Sequence, residues 1–235
     1  MSDIADNLTV IRERMAAACS RSGRGVSSVE LLAVSKTFPA EVIREAVDAG
    51  QMVFAESRLQ EAEPKIEQLP GTLHWHFIGR VQRNKVRRLL LLFEVIHAVD
   101  SLRLAQYMDG VAAELGLFPK VFLQVNIGGE QSKGGFEKDE LVACAESLLS
   151  MPRLSVEGLM CIPPPVDNPE EARHWFAELR DFRDGLERQT GAHLPGLSMG
   201  MSGDFEVAIE EGATHVRVGS AIFGHRAYRV DGELG

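Results

Sequence analysis

The chain has little positive charge. Against 34 acidic side chains stand 25 basic ones, a formal charge of -9. That balance argues against a general nucleic-acid binder or a binder of anionic membranes. Long apolar runs are missing too. The strongest, at 89–93, is far too short to span a bilayer. Cys19, Cys144 and Cys161 lack any paired spacing, and no signal-peptide pattern opens the chain. Reduced thiols in a cytoplasmic protein are therefore expected. No segment reads as a linker, so one domain over residues 1–235 is expected. The Gly-x-Gly-x-x-Gly fingerprint is absent after the first strand pattern, which argues against a doubly wound dinucleotide-binding sheet.

What is present is alternation. Hydrophobic residues make up 45% of the chain, enough for a substantial core. Ile4, Leu8, Ile11, Met15 and Cys19 share one face of a leading helix, with Ser2 or Asp3 as its cap. Strand patterns follow near 30–35, 52–55, 73–78, 94–99, 120–126, 154–159, 194–198 and 214–218. Helical patterns separate them at about 41–49, 57–68, 82–92, 101–115, 137–150, 169–190, 203–211 and 220–224. Pro39 suits a first helical turn and Gly50 a stop. Ser57 with Gln60 reads as a capping box, Asp100 or Ser101 as a cap, and Gly116 as a terminator. Eight strands alternating with helices predict a parallel sheet closed as a single (β/α)8 TIM-type barrel with an extra N-terminal helix.

Functional residues cluster at strand ends. Lys36 closes the run Leu31-Leu32-Ala33-Val34-Ser35-Lys36-Thr37, where a strand hands over to a helix. A lysine that loses water there becomes a nucleophile toward an aldehyde. A snorkelling lysine at a strand end has the same sequence. Near the other end, Ser202 and the pair Gly219-Ser220 follow short strands and open helices. Such turns offer N–H groups to a phosphate, and the same geometry serves simple capping. Arg217 lies two residues before Gly219 and is placed to point into a barrel mouth, as a ligand contact or as an internal ion-pair partner. The glycine-rich stretch 128–135, with Lys133, reads as a rim loop or a lid. His74 and His76 fall on one strand face without a further convincing ligand set for zinc. Arg80, Arg83, Lys85, Arg87 and Arg88 interleave with Val81, Val86, Leu89 and Leu90, the pattern of an amphipathic helix with a solvated basic face.

Several words carry a resemblance over nearly the whole chain. LLAVSKT, HFIG-x-x-Q-x-NK, EGLM-x-IPP, LSMGMS-x-D-x-x-x-AI-x-x-GAT and VR-x-GSAIFG resemble the pyridoxal phosphate homeostasis family. The resemblance implies a barrel similar to the N-terminal domain of alanine racemase. It implies pyridoxal 5'-phosphate (PLP) held as an aldimine on Lys36, with Ser202, Gly219 and Ser220 at the phosphate and Arg217 facing the pyridine nitrogen. It implies a role in intracellular vitamin B6 balance without established turnover, with PLP-accepting apo-enzymes as partners and neither nucleic acid nor membrane. A small PLP enzyme such as a weak racemase is the alternative. A racemase draws its opposing tyrosine from a C-terminal β-domain, and neither Tyr107 nor Tyr228 sits in a matching context. The family word Gly-Glu-Asn-Tyr is replaced by Ala55-Glu56-Ser57-Arg58, which is expected to change the pocket wall. Arg80 and Arg83 depart from the usual HFIG word as well.

Overall fold

The computed structural model describes residues 4–129 and 134–224. Eight parallel strands close into a barrel: β1 (Glu30–Val34), β2 (Val53–Glu56), β3 (His74–Phe77), β4 (Val95–Val99), β5 (Lys120–Gln124), β6 (Ser155–Met160), β7 (Gly196–Met201) and β8 (His215–Val218). They are ordered as in the chain, and β8 pairs back onto β1, with Leu32 opposite Arg217. Closure removes every sheet edge. It also gathers the C-terminal strand ends on one rim, called the upper mouth below, and the N-terminal ends on the lower mouth.

Helices α1 (Ile4–Arg21), α2 (Ala40–Asp48), α3 (Leu59–Gln68), α4 (Val86–Leu92), α5 (Leu102–Leu115), α6 (Lys138–Leu149), α7 (Arg173–Thr190), α8 (Phe205–Glu210) and α9 (Ser220–Phe223) surround the sheet. Strand alternation divides the apolar residues. Ala33 and Phe54 join the large core between sheet and helices. Leu32, Val34 and Ala55 form a separate small cluster in the lumen, and Val95, Phe122 and Met160 another. The leading helix buries Ile4, Leu8, Ile11, Met15 and Cys19, the face its sequence predicts. It packs on α8 and α9, and Asn7 Nδ2 donates to Ile222 O at 2.8 Å. That bond ties α1 to the turn after β8.

Local signals mostly translate into local structure. Ser101 caps α5 by accepting from the Leu104 N–H, and Gly116 ends it in the left-handed region at φ 69°. The capping box expected at Ser57 and Gln60 does not form. Arg58 is the N-cap of α3 and makes no side-chain cap bond, while Ser57 turns toward the upper mouth. The helical patterns at 82–92 and 169–190 each begin with a short 3-10 turn before the α-helix. The basic face of α4 is paired: Arg87 meets Glu114 and Arg88 meets Glu63. The N-terminal cap at Ser2 or Asp3 lies outside the described residues, as do Lys133 and Tyr228.

Candidate functional site

The upper mouth holds a cavity of about 550 Å³. Lys36, Ser202, Arg217, Gly219 and Ser220, all singled out in the sequence, line it together with Val34, Phe38 and Ile78. Lys36 reaches it because it follows the inward-facing Val34 by two residues. The residue after it is unusual. Thr37 has φ 72°, the only positive φ outside glycine among the described residues. A β-branched residue resists that conformation. Here the Thr37 N–H donates to Glu61 Oε2 at 3.0 Å, which holds the turn in place. Burial pushes the Glu61 carboxyl up, but the Arg58 side chain and the Thr37 N–H outweigh it and hold the group below its ordinary value. No sequence pattern announced the positive φ of Thr37 beside the lysine.

Behind this rim, outside the lumen, sits a buried polar triad. Glu56 Oε1 accepts from Ser35 Oγ at 2.8 Å and from Lys65 Nζ at 2.6 Å, and Lys65 also donates to Ser35 O at 3.0 Å. These bonds lock the end of β1 to the end of β2 and to α3. Burial pushes the Glu56 carboxyl up, with Lys65 and Ser35 pulling it back. In the altered family word, Ser57 lines the cavity, whereas Arg58 is exposed and pairs with Glu61. Only one of those two changes therefore touches the pocket wall.

At the opposite side of the cavity the turns after β7 and β8 meet. The Gly219 and Ala221 N–H groups both aim at Ser202 Oγ, at 3.1 and 3.5 Å. Gly200 sits at φ 91°, and a Cβ there would come within 2.6 Å of the Ala208 side chain. Glycine lets α8 close against β7, and this places Ser202 beside Gly219. A Cβ on Gly219 would lie 3.2 Å from Val34 O. Hydroxyls and N–H groups converging at a turn suit an anion.

Arg217 is buried within the barrel. Its Nη1 donates to Ser198 Oγ at 2.7 Å and its Nη2 to Cys161 O at 2.8 Å. Burial pushes its pKa down, while Cys161 and Asp204 act in the other direction. Among the described residues no carboxylate forms an ion pair with it, so the internal ion pair allowed by the sequence is not formed. Burial pushes the Cys161 thiol up to about 12, so it is a neutral neighbour at physiological pH. The donor set at this mouth is an amine, a buried guanidinium, two hydroxyls and backbone N–H groups. It fits an anionic ligand carrying an aldehyde and a further acceptor.

The histidines lie elsewhere. His74, His76 and His215 line a second cavity, of about 380 Å³, at the lower mouth. Among the described residues no group of three or more His, Cys, Asp or Glu side chains is arranged to hold a metal ion. Instead, His76 Nδ1 lies 3.0 Å from His97 Nε2, deep in the lumen. His97 and Ser198, two buried polar residues that sequence reasoning passed over, join the lower cavity to Arg217.

A closed parallel barrel with a lysine after the first strand and an arginine on the last defines a class, and the comparisons agree with it. The family described as "Alanine racemase, N-terminal domain" matches residues 3–227. The pyridoxal phosphate homeostasis protein of Aquifex aeolicus is 47% identical over 224 residues, covering 95% of this chain and 98% of that one. That of Pseudomonas aeruginosa is 45% identical over 230 residues, covering 97% and 98%. PipY of Synechococcus elongatus PCC7942, solved with PLP bound, superposes with a TM-score of 0.80 at 41% identity, covering 91% of this chain and all (100%) of that one. The chain belongs to the alanine racemase N-terminal domain family and, within it, to the pyridoxal phosphate homeostasis proteins. Alanine racemase of Clostridium difficile shares the fold at 17% identity and a TM-score of 0.75.

Proposed function

We propose that this protein binds PLP at the upper mouth and acts in intracellular vitamin B6 homeostasis, as a carrier or regulator without catalytic turnover. PLP-accepting apo-enzymes are its partners in this reading, and residues 1–235 work as one cytoplasmic domain. The observation that carries it is the convergence of Lys36, Arg217, Ser202, Gly219 and Ser220 on one cavity. Lys36 supplies the primary amine that an aldehyde cofactor requires. Ser202, Ser220 and the Gly219 N–H hold the phosphate. Arg217 donates toward the ring nitrogen. When bound, PLP supplies an aldehyde for amines and a ring that withdraws electrons.

Two features favour binding over turnover. Arginine stays charged and only donates, so a nitrogen facing Arg217 is kept as an unprotonated acceptor. That form withdraws electrons less well than a protonated ring. Racemisation also needs an acid or base on each face of the substrate. Among the described residues lining the cavity there is no His, Asp, Glu, Cys or Tyr to stand opposite Lys36. Tyr107 lies on α5, where the Arg83 guanidinium covers its ring at 4.4 Å.

The test is α-proton exchange into deuterated water for a panel of amino acids, with PLP-loaded protein and free PLP side by side. Rates comparable to those of free PLP are expected. Rapid exchange with a defined stereochemical outcome, abolished by Lys36→Ala, would replace this reading with a racemase-like enzyme.

A further inference from the structure

Four buried side chains form one continuous chain through the barrel. Arg217 Nη1 donates to Ser198 Oγ at 2.7 Å, Ser198 Oγ lies 2.8 Å from His97 Nδ1, and His97 Nε2 lies 3.0 Å from His76 Nδ1. The proton positions follow from counting donors. Ser198 is fully buried, and its hydroxyl oxygen already accepts from Arg217. Among the described residues its own hydrogen has a single acceptor within reach, His97 Nδ1. His97 therefore carries its proton on Nε2 and donates it to His76 Nδ1. His76 in turn carries its proton on Nε2. Every bond in the chain runs the same way, from the upper mouth to the lower.

We propose that Ser198 and His97 are positioning residues for Arg217, and that by giving it a neutral acceptor they make the cofactor site select a ring with an unprotonated nitrogen. The proposal rests on the reading that Arg217 faces the ring nitrogen of PLP. A carboxylate in place of Ser198 would neutralise the guanidinium. A lone hydroxyl without His97 would be free to rotate. With His97 behind it, the hydroxyl is held with a lone pair toward Arg217, and the guanidinium keeps its orientation against a neutral partner.

The surroundings suit a neutral, fixed imidazole. His97 stacks on Phe122 at 4.5 Å with the planes 7° apart, which sets the ring plane. Burial, then the neighbouring His76, His215 and Arg217, holds the His97 pKa well below its ordinary value. A protonated His97 would place two cations on one hydroxyl and leave the Ser198 hydrogen without an acceptor.

The probe is a pair of ligands, PLP and its 1-deaza analogue, in which a C–H replaces the ring nitrogen. Dissociation constants are measured for the wild type, Ser198→Ala, His97→Phe and Arg217→Met. The wild type should prefer PLP by about tenfold, the size of one good hydrogen bond, ~1.4 kcal/mol. Ser198→Ala and His97→Phe should lose most of that preference while still binding both ligands. A merely structural role would weaken both ligands alike and leave their ratio unchanged, which would overturn the proposal. If Arg217→Met keeps the preference, the underlying reading of Arg217 fails instead. The histidine ¹⁵N shifts of the wild type test the chain without any variant, should a substitution fail to fold. A neutral His97 protonated on Nε2 is expected, and one protonated on Nδ1 would overturn it.

Discussion

At the upper mouth Lys36, Arg217, Ser202 and Ser220 line a cavity with no carboxylate among its described lining residues, whereas at the lower mouth Glu30, Glu94 and Glu157 surround His74, His215 and Lys120. Both mouths are polar, and both sit on the same eight strands. The difference lies in how their charges are answered. At the lower mouth His74 Nδ1 meets Glu94 at 2.8 Å and His215 Nε2 approaches Glu30 at 3.4 Å, so the carboxylates there find polar partners within the mouth itself. At the upper mouth a buried guanidinium has only neutral partners. A buried guanidinium whose hydrogen-bond partners are neutral, with Asp204 acting on it only through space, is chemically suited to a ligand acceptor in a way that a self-paired cluster is not. The comparison separates the two mouths by how their polar groups are partnered, where polarity and cavity size alone do not.

Several perturbations break or sharpen this contrast. The largest effect is expected behind the upper rim. Lys65→Met would leave Glu56, fully buried, without its ammonium partner. Breaking a buried pair costs ~3–5 kcal/mol, to be read from denaturant unfolding at neutral pH. The sign with pH follows from Glu56, whose folded pKa is raised above 4.5 by burial against the opposing pull of Lys65. The folded state then holds the proton more tightly than the unfolded chain, so stability falls as pH rises from 4.5 through the folded value. The cost of Lys65→Met should therefore shrink near pH 4.5. A cost that is the same at acid and neutral pH would mean that Glu56 does not titrate there.

The lower mouth should show the reverse dependence. Burial, with nearby His215, His74 and Lys120, lowers His76 from 6.5 to about 3. Burial, with Arg217 and Lys120, lowers His215 from 6.5 to about 4. The unfolded chain takes up these protons first. Stability from these groups is present above pH 6.5 and is lost as pH falls toward the folded values. Each group contributes a slope of ~1.4 kcal/mol per pH unit. His76→Gln should flatten the acid limb measured between pH 6 and 4 by about that amount. An unchanged limb would show that these rings do not gain protons on unfolding.

The smallest effects concern the phosphate turn. Ser220→Ala should weaken PLP binding by ~0.5–1.5 kcal/mol through one lost donor, or ~1.5–3 kcal/mol where that bond is charge-assisted. Gly219→Val should weaken it more. Its Cβ would stand 3.2 Å from Val34 O and 3.3 Å from Val34 Cβ, at the edge of the cavity. Equal retention of PLP in both variants, by equilibrium titration, would move the phosphate elsewhere.

The sequence made one kind of feature legible and concealed another. The period of Ile4, Leu8, Ile11, Met15 and Cys19 and the alternation of strands with helices are local, and the barrel follows from them. Lys36 and Arg217 stand in words that resemble a family, so their places at one rim could be expected. Ser198 and His97 carry no such signal. Their chain joins residues 21, 101 and 19 positions apart, and a lone histidine in an apolar strand looks like core until closure brings β7 and β8 across the lumen from β4. The capping box at Ser57 and Gln60 failed for a related reason. Tertiary placement turned Ser57 toward the cavity and left the helix to begin at Leu59.

The most direct test of the contrast between the mouths is borohydride reduction of the PLP-loaded protein, followed by peptide mapping. Lys36 lines the upper cavity and Lys120 the lower one, so one adduct distinguishes them. The account predicts loss of the visible chromophore on reduction and a single phosphopyridoxyl adduct, on Lys36. An adduct on Lys120, or on Lys133, with Lys36 unmodified would contradict it.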